Sequence, residues 1–298
     1  MEVKKLDKHI RPMENGIVRL KTMGNVQEIF WSSKRSSGNF IQKLDKDHYV
    51  NLQTGEYLAF EHLKNRSENL KSVARSLSQG RDLLNSNIVD TKNCRWVTLT
   101  YADNMTDPKK LQKDFENFNV RLRRKYGHYE YITAAEPQGR GAWHLHVVLI
   151  FSGPAPYIPN DVMAAAWKKG FVTVKKLDDV DNVGAYLTAY LGDLELTEAK
   201  FEGVKGTIKE VDVEVDGKIQ KKRYIKGGRL CMYPPGFHIF RWSKGIKKPT
   251  VTYMTAGEAD EKVGAATLTF EKTVALSDEM SSFEATLNYR YYNSKRRR

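Results

Sequence analysis

The 298-residue sequence holds only two cysteines, Cys94 and Cys231. Two thiols cannot build a disulfide framework or a four-cysteine zinc site, and such sparing use suits a reducing compartment, so a cytoplasmic location is expected. No apolar run approaches the roughly 18 residues that cross a bilayer, so no membrane partner is expected. The N-terminus, MEVKKLDKHIRPMENG, lacks the apolar core of a secretory signal. No G-x-x-x-x-G-K-[ST] loop occurs, which leaves the chain without a visible nucleotide-driven motor. Internal repeats and low-complexity stretches are missing as well.

What is present describes a folded protein with an anionic partner. Hydrophobic residues make up 40% and aromatics 11%, too rich for a disordered chain. Lys and Arg number 49 against 36 Asp and Glu, a net charge of +13, which favours nucleic acid or an anionic membrane surface. Clustering favours nucleic acid. The tail Tyr291–Arg298 reads YYNSKRRR, and RLRRKYG closes a helix at Arg121–Gly127. Interleaved Tyr and Arg suit phosphate contact combined with base stacking.

Residues 1–60 read as short strands and turns, one turn falling at Thr54-Gly55. Leu70, Val73, Leu77 and Leu84 recur at helical spacing over 67–85, with Ser67 as a capped start and Lys71, Arg75 and Arg81 as its basic residues. RWVTLTY (Arg95–Tyr101) is β-branched and aromatic, a strand. The next helix has Asp107 as N-cap, Pro108 at its first position, a stripe of Leu111, Phe115, Phe118 and Leu122, and Gly127 as its end. Strands follow at Tyr129–Glu136 and Trp143–Phe151, joined by the turn PQGRGA. A helix at Asn160–Lys169, a strand at Phe171–Leu177 and a helix VGAYLTAYL, capped by Asn182 and stopped by Gly192, complete the run. This order predicts an α+β fold, a central antiparallel sheet with helices on it, close to the ferredoxin-like plan. Beyond residue 195, Asp216-Gly217 marks a hairpin. FHIFRWS is expected to return as a last strand of the same sheet.

Function is posed by the stretch RGAWHLHVVLIF. A strand apolar on both faces is normally buried, yet this one carries His144 and His146. Residues two apart share a face, with β-carbons roughly 6.5–7 Å apart, so both imidazoles can reach one metal ion. A hairpin centred near Arg140 places Glu136 opposite His144, where it can supply a carboxylate. Thr98 and Thr100 share one face of the first strand. Tyr186 and Tyr190, four apart on a helix, lie about one turn from each other. Each feature alone has a structural reading: an incidental histidine pair, a solubilising strand end, two core tyrosines.

Together, TLTY, then E-x-x-G-R-x-x-W-H-L-H, then Y-L-T-A-Y-L resemble the HUH endonucleases, in particular rolling-circle replication initiator (Rep) proteins of Firmicutes-type plasmids and phages. The resemblance spans about residues 95–193 and extends through RSENLKSVARSL upstream and MYPPGFHIFRWSKGIKKP downstream. Tyrosines that follow the histidines match Rep proteins rather than conjugative relaxases. The resemblance implies cleavage of one DNA strand at an origin, leaving a 5′-phosphotyrosine and a free 3′-hydroxyl. It implies Mg²⁺ or Mn²⁺ held by His144, His146 and Glu136, with Tyr186 and Tyr190 as alternating nucleophiles. Many relatives carry a lysine in the tyrosine helix, where this chain has Ala189 and Asp193. Lys175 or Lys176 is the expected substitute, and Arg140, Arg241 and Lys244 are further expected DNA contacts. The implied partners are origin DNA, as single-stranded nick site and flanking duplex, and a host helicase, and a homo-oligomer is compatible with the reading. The expected domains are an N-terminal accessory region (1–90), a nuclease domain (91–250) with a hairpin insertion near 205–226, and a C-terminal strand-rich appendage (251–298). The flanking parts are expected to help bind the duplex origin.

Two other readings compete. A tyrosine-type HUH transposase or related mobilisation nuclease also places tyrosine after the histidines, but such enzymes are shorter and commonly carry one tyrosine. A non-catalytic RRM-like module would need aromatics on the sheet face that bears the histidines, and it leaves Glu136 and the tyrosine pair unexplained.

Overall fold

The strongest strand-forming segments of the sequence meet at the centre of one sheet. In the computed structural model the described residues are 2–34, 40–61, 63–177, 180–188, 193–195, 208–215, 218–278 and 283–297. The elements that matter for function are α1 (Leu70–Asn87), β1 (Cys94–Thr100), α2 (Pro108–Tyr126), β2 (Glu130–Pro137), β3 (Trp143–Ile150), α3 (Asn160–Trp167), β4 (Val172–Lys175), α4 (Val183–Thr188) and β5 (Phe240–Trp242). The strands pair antiparallel in the order β4-β1-β3-β2-β5. The first four strands thus follow the 4-1-3-2 order of the expected plan, and FHIFRWS adds the fifth at the edge.

Strand alternation sorts the side chains onto two faces. On one, Leu111 and Phe115 of α2 pack over Leu145, Ala135 and Ile239. On the other, Leu84 of α1 and Leu187 of α4 stand over Trp96, Ile132, Val148 and Phe240. Helices therefore cover both faces. α2 starts as its sequence prescribes, with the Asp107 carboxylate accepting from Lys109 N at 2.8 Å and Pro108 beside it, and Gly127 ends it at φ 76°. α1 differs from expectation at its start. Its cap is Asn69, whose side chain accepts from Ser72 N at 2.9 Å, while the Ser67 hydroxyl turns back to Asn65. Either residue type can cap, and here a short 3₁₀ turn, Arg66–Glu68, occupies the stretch that the leucine spacing left open.

The chain divides into two compact units, residues 22–26 with 65–250 and residues 1–21, 27–64 and 251–298. This differs from the contiguous blocks expected at 1–90, 91–250 and 251–298. Residues 65–90 supply α1 to the unit that holds the sheet above. The N- and C-terminal parts share a six-stranded sheet, in which Glu2–Leu6 pairs with Ala266–Asp278, which pairs in turn with Phe283–Arg297. Pairing across more than 260 residues leaves no local sequence signal. The expected hairpin also forms, since Ile208–Val215 pairs with Lys218–Ile225; the Asp216-Gly217 turn itself lies outside the described residues.

The basic cluster that ends α2 serves the fold. Arg121 Nε donates to Ala166 O at 2.7 Å, and Arg123 donates to Tyr129 O at 2.6 Å with its guanidinium 5.1 Å from that ring. In the tail, the Tyr291 hydroxyl donates to Glu28 Oε2 at 2.7 Å. The charge itself is uneven. The unit built on 65–250 holds 31 Lys and Arg against 21 Asp and Glu, or +10 of the total +13. Among the described residues no helix is long and apolar enough to cross a membrane.

The cysteines separate in reactivity. Cys94 is fully buried, and burial, with the charge of Asp90 beside it, pushes its thiol up to about 12. Cys231 is half-buried and raised less far. Since only thiolate reacts, titration of the native protein with a disulfide reagent near neutral pH is expected to modify Cys231 first and Cys94 only on unfolding. Two thiols reacting at equal rates in the native state would contradict the buried placement of β1.

Candidate metal centre and active site

The tight turn Gln138–Gly141 sets the register of the β2–β3 hairpin. Gln138 N donates to Ala142 O and Gly141 N to Gln138 O, both at 2.8 Å, with Gly141 at φ 91°. That register pairs Glu136 with His144, as the sequence predicts. β1 adds Thr98 opposite His146 and Thr100 opposite His144. Glu136, His144 and His146 consequently offer ligand atoms that all lie within 4.8 Å of one another. Both imidazoles place Nε2 on the same carboxylate oxygen, Glu136 Oε2, at 3.0 Å from His144 and 3.2 Å from His146.

Neighbours hold each ligand. His146 Nδ1 is 3.4 Å from Thr98 Oγ1, and the His146 ring stacks on Trp96 with centroids 5.2 Å apart. A threonine hydroxyl can both donate and accept, so it serves either imidazole tautomer. The other Glu136 oxygen, Oε1, lies 3.3 Å from a guanidinium nitrogen of Arg229. Burial drives the Glu136 carboxyl upward, but hydrogen bonds from His144 and His146 and the charge of Arg229 outweigh it and hold the acid well below the usual carboxylate range. His144 moves below its ordinary value because burial, His146 and Arg229 together exceed the pull of Glu136. The Glu136 carboxylate and the His144 imidazole are thus both biased toward the deprotonated forms that metal binding requires.

Arg229 is the residue the sequence reading missed. It sits on the short turn Gly228–Met232, beyond the hairpin insertion, and reaches the site from a segment 93 positions after Glu136. The turn is fastened by Asp193, whose Oδ1 accepts from Gly227 N at 2.8 Å. Asp193 is one of the two positions where relatives are expected to carry lysine. The segment that Asp193 anchors thus brings a cation, Arg229, against Glu136. The only sequence signal was the mixture of bases and aromatics in RLCMYPPGFHIFRWS.

Of the expected nucleophiles, Tyr186 lies on α4, half-exposed. α4 covers the histidine-bearing face, since its Leu187 lines the cleft beside His146. Tyr190 lies outside the described residues. A third tyrosine, Tyr233, approaches Glu136 but is fully buried, and its hydroxyl donates to Ala135 O at 2.9 Å. Burial and the charge of Glu136 raise its phenol well above the ordinary value, so Tyr233 is a structural group.

The expected DNA contacts distribute unevenly. Lys175, opposite Trp96, is exposed on the histidine-bearing face but four residues, roughly 13 Å, along the strands from the Thr100–His144 row. Lys176 follows it, also exposed. Arg241 pairs opposite Thr133 and lines the α2 side of the sheet. Lys244 lies past β5, near the Glu130 end of β2 and away from Glu136. Arg140 fastens the hairpin turn, donating to Tyr101 O at 2.6 Å and Ala102 O at 3.1 Å.

Similarity to known proteins falls on this same segment. Residues 94–195, from the first residue of β1 to just past Asp193, match the replication-associated protein family of the ORF2 type. Over 176 residues, half of this chain, the sequence is 27% identical to the phasyl DNA replicon protein arp of Escherichia coli, and the match spans 59% of that protein's length. No solved structure matches the chain. The family match therefore falls on the segment whose strands carry Glu136, His144 and His146.

Proposed function

We propose that the chain nicks and rejoins one strand of DNA at a replication origin, with a divalent metal and a tyrosine nucleophile, as an HUH-type replication initiator. The observation that carries this reading is the convergence of Glu136, His144 and His146 at 4.8 Å or less, on the sheet face that α4 covers through Leu187.

The residues fit a Mg²⁺ or Mn²⁺ ion. Two imidazole nitrogens and one carboxylate oxygen form a mixed N/O set suited to Mn²⁺ and tolerable for Mg²⁺. Arg229 on Oε1 leaves Oε2 as the ligand atom, and Thr98 on Nδ1 leaves Nε2 of His146. A bound ion would polarise the scissile phosphate and offset charge on its oxygens. The protein's own groups do the rest. The Tyr186 or Tyr190 phenolic oxygen attacks phosphorus, the bond to the 3′ oxygen breaks, and the tyrosine retains the 5′ phosphate. The phenol proton leaves to a base or solvent, and the departing 3′ oxygen gains one. The ester keeps the energy of the phosphodiester, so the reverse attack rejoins the strand without a nucleotide cofactor. Tyr186 and Tyr190 alternate, one holding a 5′ end while the other cuts the regenerated origin. Origin DNA and a separate helicase are the partners this scheme needs.

The test uses the full chain, Mn²⁺ and labelled single strands from the DNA around its own gene. A covalent adduct surviving denaturation is expected for the wild type, reduced in Tyr186→Phe and in Tyr190→Phe, and lost in the double variant. An adduct undiminished in the double variant would remove both tyrosines from the scheme. A chain that retards DNA without any adduct would be a binding module instead.

A further inference from the structure

The nicking scheme leaves several exposed aromatics without a role, and one of them, Phe171, adjoins the strands of the metal site. Phe171 precedes β4 and is 74% exposed. Its neighbours fix where it points. Val172 and Val174 pack on the core, whereas Thr173 and Lys175 are exposed and pair with Thr98 and Trp96. The pairing of Val172 with Leu99 continues through Phe171 O, which accepts from Thr100 N at 2.9 Å. Phe171 is therefore opposite Thr100, Thr100 is opposite His144, and His144 is opposite Glu136. Alternation puts all four on one face in one cross-strand row. At about 4.8 Å per strand, the Phe171 backbone lies two strands, about 10 Å, from that of His144.

Single exposed apolar residues are ordinary, but this one is held rigidly. Gly170 sits at φ 152°, and a β-carbon there would meet Ala102 N at 2.3 Å and Thr100 O at 2.5 Å. Ala102 N donates to Lys169 O at 2.9 Å, and Trp167 Nε1 donates to Thr100 O at 3.0 Å. The chain is thus pinned against the end of β1 on both sides of Phe171. Exposed Lys168 and Lys175 stand three residues before and four residues after Phe171 in the chain. A fixed phenyl ring aligned with a metal-ligand row, on a segment that carries exposed lysines, matches how single-stranded nucleic acid is held: phosphates by Lys or Arg, bases on aromatic faces.

We propose that Phe171 is a stacking platform for an unpaired nucleobase of the strand entering the Glu136–His144–His146 site. The inference rests on the nicking scheme. It adds selectivity, because bases in a duplex stack on each other and offer Phe171 no free face. It also supplies the sheet-face aromatic that an RRM-like surface uses, here beside the metal ligands.

The test compares the full-length protein with Phe171→Ala, Phe171→Leu and Phe171→Trp. The probes are a labelled mixed-sequence single strand of about 20 nucleotides, enough to span several site sizes, and the same sequence as duplex. Stacking contributes roughly 1–3 kcal/mol per base, so the Ala and Leu variants are expected to bind the single strand about tenfold more weakly. The Trp variant should retain affinity, duplex binding should change little, and thermal midpoints should stay level because the ring is exposed. An Ala variant that binds the single strand as tightly as wild type overturns the platform and leaves the nicking scheme intact. A Leu variant equal to wild type overturns stacking in favour of plain apolar contact. A wild-type chain that shows no single-strand preference and forms no adduct with strands from around its own gene overturns the scheme together with the platform.

Discussion

Glu136→Gln is expected to lower metal-dependent strand cleavage by roughly a hundredfold or more, the scale on which a single group stabilising transition-state charge acts. It is also expected to lower the thermal midpoint. The reason is Arg229. Its guanidinium lies 3.3 Å from Glu136 Oε1, with only 14% of that side chain exposed. Glutamine keeps the shape and removes the counter-charge, and breaking one partner of a buried pair costs roughly 3–5 kcal/mol. The double variant Glu136→Gln, Arg229→Met separates the two effects: it should recover much of the midpoint and none of the cleavage. Mn²⁺ titration by paramagnetic resonance reads the ligand role independently of activity. A Glu136→Gln protein that binds Mn²⁺ and cleaves like wild type would remove Glu136 from the metal set.

The pH dependence follows in sign from the same residues. The Glu136 acid is depressed in the fold, so its stabilisation is complete above the ordinary carboxylate value of about 4.3 and is lost as pH falls through the folded value. His144 is also depressed, so its contribution is present above about 6.5 and declines as pH falls below that. Acid should therefore destabilise wild type in two stages, the upper one belonging to the histidine.

Why the site was so legible while its partners were not comes down to sequence distance. Glu136 and His144 are joined by a short hairpin, so a strand period of two and one Gly-rich turn suffice to bring them together. The 4-1-3-2 order followed from alternating strand and helix signals, each with its own cap or stop, as at Asp107 and Gly127. Arg229 had no such path. It arrives after an inserted hairpin, on a 3₁₀ turn held by Asp193, and no periodicity links it to β2. The shared sheet of the two termini was hidden for the same reason. Charge misled in another way. Arg121 and Arg123 read as nucleic-acid contacts because composition counts side chains, whereas the fold uses these two to satisfy carbonyls at Ala166 and Tyr129.

Gly184→Ala is expected to abolish most adduct formation while leaving Mn²⁺ binding in place. The described residues of α4, Val183–Thr188, are positioned by docking to α1. One buried side chain of α1 supplies hydrogen bonds to the start of α4. Asn85 Oδ1 accepts from Gly184 N at 2.7 Å, and its Nδ2 donates to Asn182 Oδ1 at 2.9 Å. A β-carbon on Gly184 would fall 2.3 Å from Arg81 O and 2.9 Å from Asn85 Oδ1, and a backbone carbonyl inside α1 cannot turn aside. Intrinsic helix propensity argues the other way, since alanine is favoured over glycine by about 1 kcal/mol. A loss of stability, expected at roughly 1–3 kcal/mol from overpacking, would therefore report the clash. Tyr186 and Leu187 ride on α4, so pushing it off α1 shifts the phenol relative to His144 and His146. A displacement of about 1 Å can cost on the order of a hundredfold in rate. Glu136, His144 and His146 lie on strands that the substitution does not touch, and their metal affinity should persist. A Gly184→Ala protein that forms adduct at the wild-type rate would show that α4 does not deliver the nucleophile.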